Sequence, residues 1–90
     1  MYAKTTKLIT PSGLHARPAS VFVNESKKYK SNVTIRKAEP DAEPKNAKSI
    51  VLLLALSLKE GAEIEITAEG EDEVLAVDNL VSLVETGLGE

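Results

Sequence analysis

One short stretch of the chain combines the residue types that phosphate chemistry requires. Residues 13–19 read GLHARPA, and His15 within them is the only histidine among the 90 residues. A neutral imidazole has a free lone pair that can attack phosphorus. The guanidinium of Arg17 is always charged, and its planar donors suit phosphate. The pattern therefore indicates a histidine that could carry a phosphoryl group beside a fixed positive charge.

The same stretch leads into a predicted helix, which would place an anion site beside His15. From Ala16 onward, small and apolar residues recur at helical spacing, and Pro18 stands in the first turn, where its missing N–H costs nothing. The unpaired N–H groups at this helix N-terminus, around Ala16 and Arg17, could bind an anion. The simpler interpretation is a surface histidine and a solvated arginine at a helix start, and spacing alone favours it.

Hydrophobic periodicity predicts the elements that would position this stretch. Ser49 is a candidate N-cap of a short apolar helix, and Glu71 or Asp72 is a candidate N-cap of the last helix. We predict strands over residues 2–10, 33–36, 43–46 and 62–69 and helices over residues 16–29 and 49–57. The apolar stripe of the last helix runs from Val74 to Val84, and Gly87 is its expected stop. The resulting β-α-β-β-α-β-α order predicts an α+β two-layer open-faced sandwich, with an antiparallel four-stranded sheet and three helices on one face.

Composition narrows the class of protein. The length predicts a single domain over residues 1–90, and the absence of cysteine excludes a thiolate metal site. Residues 1–37 hold eight basic side chains and one acidic side chain, whereas residues 38–90 hold three basic and thirteen acidic side chains. This partition indicates either a partner surface or two solvated faces of one domain. Three aromatic residues and a negative net charge disfavour nucleic-acid binding, and we expect no membrane insertion and a cytoplasmic protein.

Two motifs together make the chain similar to a known family. Residues 13–19 and residues 46–50, which read NAKSI, resemble the active-site segment and the start of the short helix in the HPr family. These proteins are the histidine-containing phosphocarriers of the bacterial phosphoenolpyruvate-dependent sugar phosphotransferase system. The resemblance covers essentially the whole chain. It implies that His15 accepts a phosphoryl group on its δ nitrogen from enzyme I and passes it to sugar-specific IIA units, and that Arg17 pairs with the phosphate.

The resemblance also implies a regulatory role for Ser49. In Gram-positive-type members, the matching serine is phosphorylated by HPr kinase/phosphorylase, and the product acts with a catabolite control transcription factor. One alternative is therefore an HPr-like regulatory paralogue that acts mainly as a binding module through Ser49, and another is that Ser49 is a plain N-cap. A small hydrolytic enzyme on a related sandwich would need a glycine-rich phosphate loop, which the sequence lacks. We expect no cofactor and no metal.

In the family, the short helix and the active-site segment form an apolar docking patch with a basic rim. We expect most of Ile50, Leu53, Leu54 and Leu56 to lie in the core. The expected docking residues are exposed apolar side chains and nearby basic ones: Val51, Leu52, Ala55, Arg17, Lys27 and Lys48. We expect the protein to be a monomer.

Three departures from the family pattern affect the docking surface and leave the GLHARPA stretch intact. The connection over residues 38–44 is longer than usual, the short helix lacks the glycine and methionine that many members carry, and Ser57 stands where a glycine often follows. These departures bear on partner identity and on recognition by the kinase.

Overall fold

A computed structural model describes residues 1–10 and 16–88. Within them, the predicted β-α-β-β-α-β-α order is confirmed. The elements are β1 (Tyr2–Lys7), α1 (Ala16–Ser26), β2 (Asn32–Lys37), β3 (Lys45–Asn46), α2 (Ile50–Ala55), β4 (Glu63–Glu69) and α3 (Glu73–Glu85). The strands form one antiparallel sheet in the order β1-β4-β2-β3. The α+β open-faced sandwich expected from the sequence is thus the observed fold.

The central strand β4 divides the sheet into a buried and a solvent-facing side. Ile64, Ile66 and Ala68 are buried beneath the helices, and the residues between them are exposed or half-buried. The alternation in the sequence produces this division because successive side chains of a strand point to opposite faces. The helices contribute the other half of the core, chiefly through Phe22 and Leu80. The single core therefore lies between the sheet and the helical layer.

The edge strand β1 is attached to α3 by polar contacts. None of its six side chains is buried. The Tyr2 hydroxyl donates to Asp78 Oδ1 at 3.1 Å, and Lys4 Nζ lies 2.8 Å from the same oxygen. On its other side, β1 has no strand partner among the described residues.

The first strand and the first helix are both shorter than predicted. β1 ends at Lys7 instead of residue 10, although Leu8 still exchanges backbone hydrogen bonds with Ala62 and Gly61 at 2.9 and 2.7 Å. α1 ends at Ser26 instead of residue 29. The Lys27 amide still donates to the Val23 carbonyl four residues back, and the amides of Lys28 and Tyr29 then donate three residues back, a common way for a helix to finish.

Asp72 holds the turn that follows α1, and it corrects one predicted cap. Its carboxylate accepts the backbone N–H groups of Lys30 and Ser31, both at 2.9 Å, and the Ser31 hydroxyl. Asp72 occupies the N-cap position of α3, yet its side chain makes no cap bond there. The Ser31 hydroxyl, followed by the Lys30 backbone N–H, holds the pKa of the Asp72 carboxyl below its ordinary value.

The short helix α2 begins as predicted and ends two residues early. Ser49 is its N-cap, with extended backbone and a side-chain oxygen 3.4 Å from the Leu52 nitrogen. Ser57 lies just beyond the helix with a φ of 52°, a left-handed conformation that ends a helix. No helix among the described residues is long and apolar enough to cross a membrane.

Candidate functional site

The start of α1 has the features of an anion site among the residues that can be described. The helix begins at Ala16 and has no acidic side chain in its first turn. Arg17 is exposed, whereas Pro18 and Ala19 are buried and fix the first turn against the core. His15 precedes Ala16 directly in the sequence but lies outside the described residues. The anion-binding roles of Ala16 and Arg17 therefore stay predictions.

Ser49 stands at the start of α2 with its side chain partly exposed. Its carbonyl accepts the Leu53 N–H at 3.0 Å, and its hydroxyl oxygen accepts the Leu52 N–H. The same hydroxyl is thus a helix cap and a group that a modifying enzyme could reach.

The exposed side of α2 is apolar. We call Val51, Leu52, Leu54 and Ala55 the α2 apolar surface. All four are exposed, and Val51 shows 72% of its surface to solvent. Leu53 is fully buried, whereas Ile50 and Leu56 are partly buried against the core.

The expectation for Leu54 is wrong, because this side chain is 39% exposed. A six-residue helix that rests on one side of a domain can bury only the positions that face it, and here that position is Leu53. Because every residue of this helix is apolar, the sequence pattern did not indicate which face is buried. The exposed apolar surface is consequently larger than predicted.

The three expected basic docking residues differ in how free their charges are. Arg17 and Lys27 are exposed. Lys48 is half-buried, and its ammonium donates to the backbone carbonyl of Tyr29 at 2.8 Å. Its ammonium thus points into the protein and not toward the expected basic rim of the docking patch. A docking role for Arg17 and Lys27 stays a prediction.

Tyr29 is the centre of a polar cluster that the sequence reasoning missed. Its ring is 8% exposed. Its hydroxyl donates to Glu25 Oε2 at 2.7 Å and accepts from Asn79 Nδ2 at 2.8 Å. Burial, and then the bond to Glu25, raises the pKa of the Tyr29 hydroxyl, and that bond lowers the pKa of the Glu25 carboxyl. The spacing of Glu25 and Tyr29, four residues apart near a helix end, was the available signal.

The described residues contain no group of three or more histidine, cysteine, aspartate or glutamate side chains that could hold a metal ion.

The described fold is an α+β open-faced sandwich, and the chain's only histidine directly precedes its first helix in the sequence. The family model "PTS HPr component phosphorylation site" matches residues 2–86. The chain therefore belongs to the HPr family of phosphocarriers of the phosphotransferase system.

Individual relatives agree with this assignment. The phosphocarrier protein HPr of Haemophilus influenzae is 42% identical over 86 residues, which are 96% of this chain and 98% of that protein. A crystal structure of HPr from Thermoanaerobacter tengcongensis superposes with a TM-score of 0.90 at 38% identity and covers 100% of this chain and 98% of its own. A multiphosphoryl transfer protein of Haemophilus influenzae is 37% identical over 87% of this chain, which spans only 16% of that protein.

Proposed function

We propose that His15 accepts a phosphoryl group from phosphorylated enzyme I and passes it to sugar-specific IIA units. One observation carries the proposal: the only histidine of the chain directly precedes Ala16, where α1 begins without an acidic side chain in its first turn. The helix N-terminus favours the negative charge of a phosphoryl group. Membership of the family and the similarity to a multiphosphoryl transfer protein support serial transfer.

In the proposed transfer, a ring nitrogen of neutral His15 attacks the phosphorus of the donor phosphohistidine. A nitrogen–phosphorus bond forms on His15 as the equivalent bond in enzyme I breaks. The exposed guanidinium of Arg17 and the amides at the start of α1 offset the charge of the phosphate. An exposed site suits a carrier because the phosphoryl group must be stabilised yet remain transferable to the next protein.

Phosphorus NMR of the protein after treatment with phosphoenolpyruvate and enzyme I tests the proposal. We expect one phosphoimidazole resonance that disappears in acid and persists in base, since the nitrogen–phosphorus bond is acid-labile. A control without enzyme I should show no such signal. A spectrum with no protein-bound phosphate, or with a phosphate ester only, would contradict the proposal.

We propose in addition that Ser49 is a regulatory phosphorylation site for HPr kinase/phosphorylase, and that the product binds a catabolite control transcription factor. The support is the partly exposed hydroxyl of Ser49 at the N-cap of α2, next to the α2 apolar surface. A phosphate there would add a charge of roughly −1.5 to −2 beside the docking residues. Partner binding would then change through electrostatics, while the fold stays the same.

Replacing Ser49 with alanine should remove labelling by HPr kinase and ATP. It should also lower the free energy of unfolding by about 0.5–1 kcal/mol, because the N-cap bond to Leu52 is lost. Kinase labelling and urea unfolding measure the two effects. The matched control is Ser82→Ala on the exposed side of α3, which should keep the label. Equal labelling of Ser49→Ala and the wild type would exclude Ser49 as the site.

A further inference from the structure

Lys48 connects the start of α2 to the end of α1. Its Nζ donates to the Tyr29 carbonyl at 2.8 Å, and its backbone N–H donates to Asn46 Oδ1 at 2.9 Å. The contact joins residues that are 19 positions apart in the chain. Lys48 is therefore fixed at its backbone and at its charged end, directly before the N-cap Ser49.

A cation is favoured beyond the end of α1 because the last turn of this helix carries no positive charge. Its last turn contains no basic residue, and the negative end of a helix dipole attracts positive charge. Of the lysines that follow the helix, Lys28 pairs with Glu25 at 3.1 Å and Lys30 with Glu71 at 3.7 Å. Lys27 directly follows the helix as an exposed side chain, and Lys48 adds a cation from a distant part of the sequence that is bonded to a carbonyl just beyond the end of α1.

The acceptor of the Lys48 ammonium is itself immobilised. Tyr29 is held by Glu25 on α1 and by Asn79 on α3. Because Tyr29 is 8% exposed and its hydroxyl is bonded to both helices, a shift of its backbone would disturb these contacts. The bond to Lys48 thus anchors α2 to a rigid point.

α2 requires such an anchor. It has six residues and buries only one of their side chains, Leu53. Helices this short are unstable by themselves, because nucleation fixes several residues for few hydrogen bonds. Its orientation must therefore come from Leu53, from the partly buried Ile50 and Leu56, and from contacts just before its first residue.

We propose that Lys48 is a positioning residue for partner docking: its bond to the Tyr29 carbonyl holds the α2 apolar surface in the orientation that partners bind. Lys48 then acts through α2 and not as a charge that touches the partner. The inference rests on the proposed phosphocarrier function. It assigns to this lysine a role different from that of the exposed Lys27.

Amide hydrogen exchange of the free protein tests the anchoring. In Lys48→Met the amides of Leu52 and Leu53 should exchange about tenfold faster, because a charge-assisted bond that restrains local opening is lost. Lys48→Arg should restore most of the protection, since a guanidinium can donate to the same carbonyl. Lys27→Met is the matched control and should leave both amides unchanged. Unchanged exchange in Lys48→Met would overturn the proposal.

Transfer kinetics from phosphorylated enzyme I test the consequence for docking. Lys48→Met should raise KM about tenfold and leave kcat unchanged, and the increase should be similar at about 0.05 M and about 0.5 M salt. Because Lys27 is an exposed charge, any increase in KM caused by Lys27→Met should become smaller at high salt. A Lys48→Met effect that also fades would show a rim cation and contradict the proposal. Amide hydrogen exchange is measured on the free protein and needs no partner. If the chain accepts no phosphoryl group, the proposed function is refuted, and the exchange result for the Lys48 anchor still holds.

Discussion

His15→Ala is expected to abolish phosphoryl transfer from enzyme I to this protein. The chain has one histidine and no cysteine, so the variant has no imidazole to form a nitrogen–phosphorus bond. Serine and threonine hydroxyls are poor nucleophiles without an adjacent base, and they would form acid-stable esters. The expected result is complete loss of the acid-labile label, measured with labelled phosphoenolpyruvate and catalytic enzyme I.

Two further measurements make the result for His15→Ala specific. Its thermal unfolding should match that of the wild type, and HPr kinase should still label Ser49 in the variant. Arg17→Ala should keep the acceptor but slow transfer by roughly tenfold to a hundredfold, since an exposed charge contributes less than a buried donor. Acid-labile label on His15→Ala would show that another group accepts the phosphate.

Gly70→Ala is expected to lower the free energy of unfolding by about 3–5 kcal/mol. Gly70 joins β4 to the segment before α3 with a φ of 154°, a conformation that side chains rarely adopt. An added Cβ would lie 2.6 Å from Ser31 Oγ and 2.7 Å from Ser31 Cα. Ser31 is 1% exposed and its hydroxyl is bonded to Asp72, so it cannot move aside.

Urea unfolding followed by circular dichroism measures this loss, which would consume much of the stability of a typical domain. Gly61→Ala is the matched control. Gly61 also has a positive φ, of 86°, but nothing lies within 4 Å of an added Cβ. We expect it to cost only about 1 kcal/mol, the conformational penalty alone. Equal losses for the two variants would show that the contact with Ser31 does not matter.

The fold was predictable from the sequence because its periodicities are local. Strict alternation over residues 62–69 predicted β4, and the capping serine predicted the start of α2. The ends of elements depended instead on distant residues. The turn that follows α1 is one example, because Asp72, 41 positions beyond Ser31, accepts the backbone N–H groups of Lys30 and Ser31 there. No pattern within a single element reports such a partner.

Less of the candidate site than of the fold was predictable from the sequence. Spacing alone left His15 and Arg17 open to an ordinary explanation, and only the combination of two motifs indicated a phosphocarrier. Composition could not separate Leu53 from Leu54, because both are leucines of an apolar helix and only packing distinguishes them. The direction of Lys48 was hidden for the same reason: its acceptor is a backbone carbonyl, which every residue possesses.

The free edge of β1 has a consequence for how the protein behaves at high concentration. An unpaired strand edge is a template on which a second chain can add by backbone hydrogen bonding. Here the exposed strand contains Lys4 and Lys7 and buries no apolar side chain. A chain that pairs along β1 would have to crowd these lysines against its own, and would gain no hydrophobic contact in return. The edge is therefore guarded against fibre-like growth by charge.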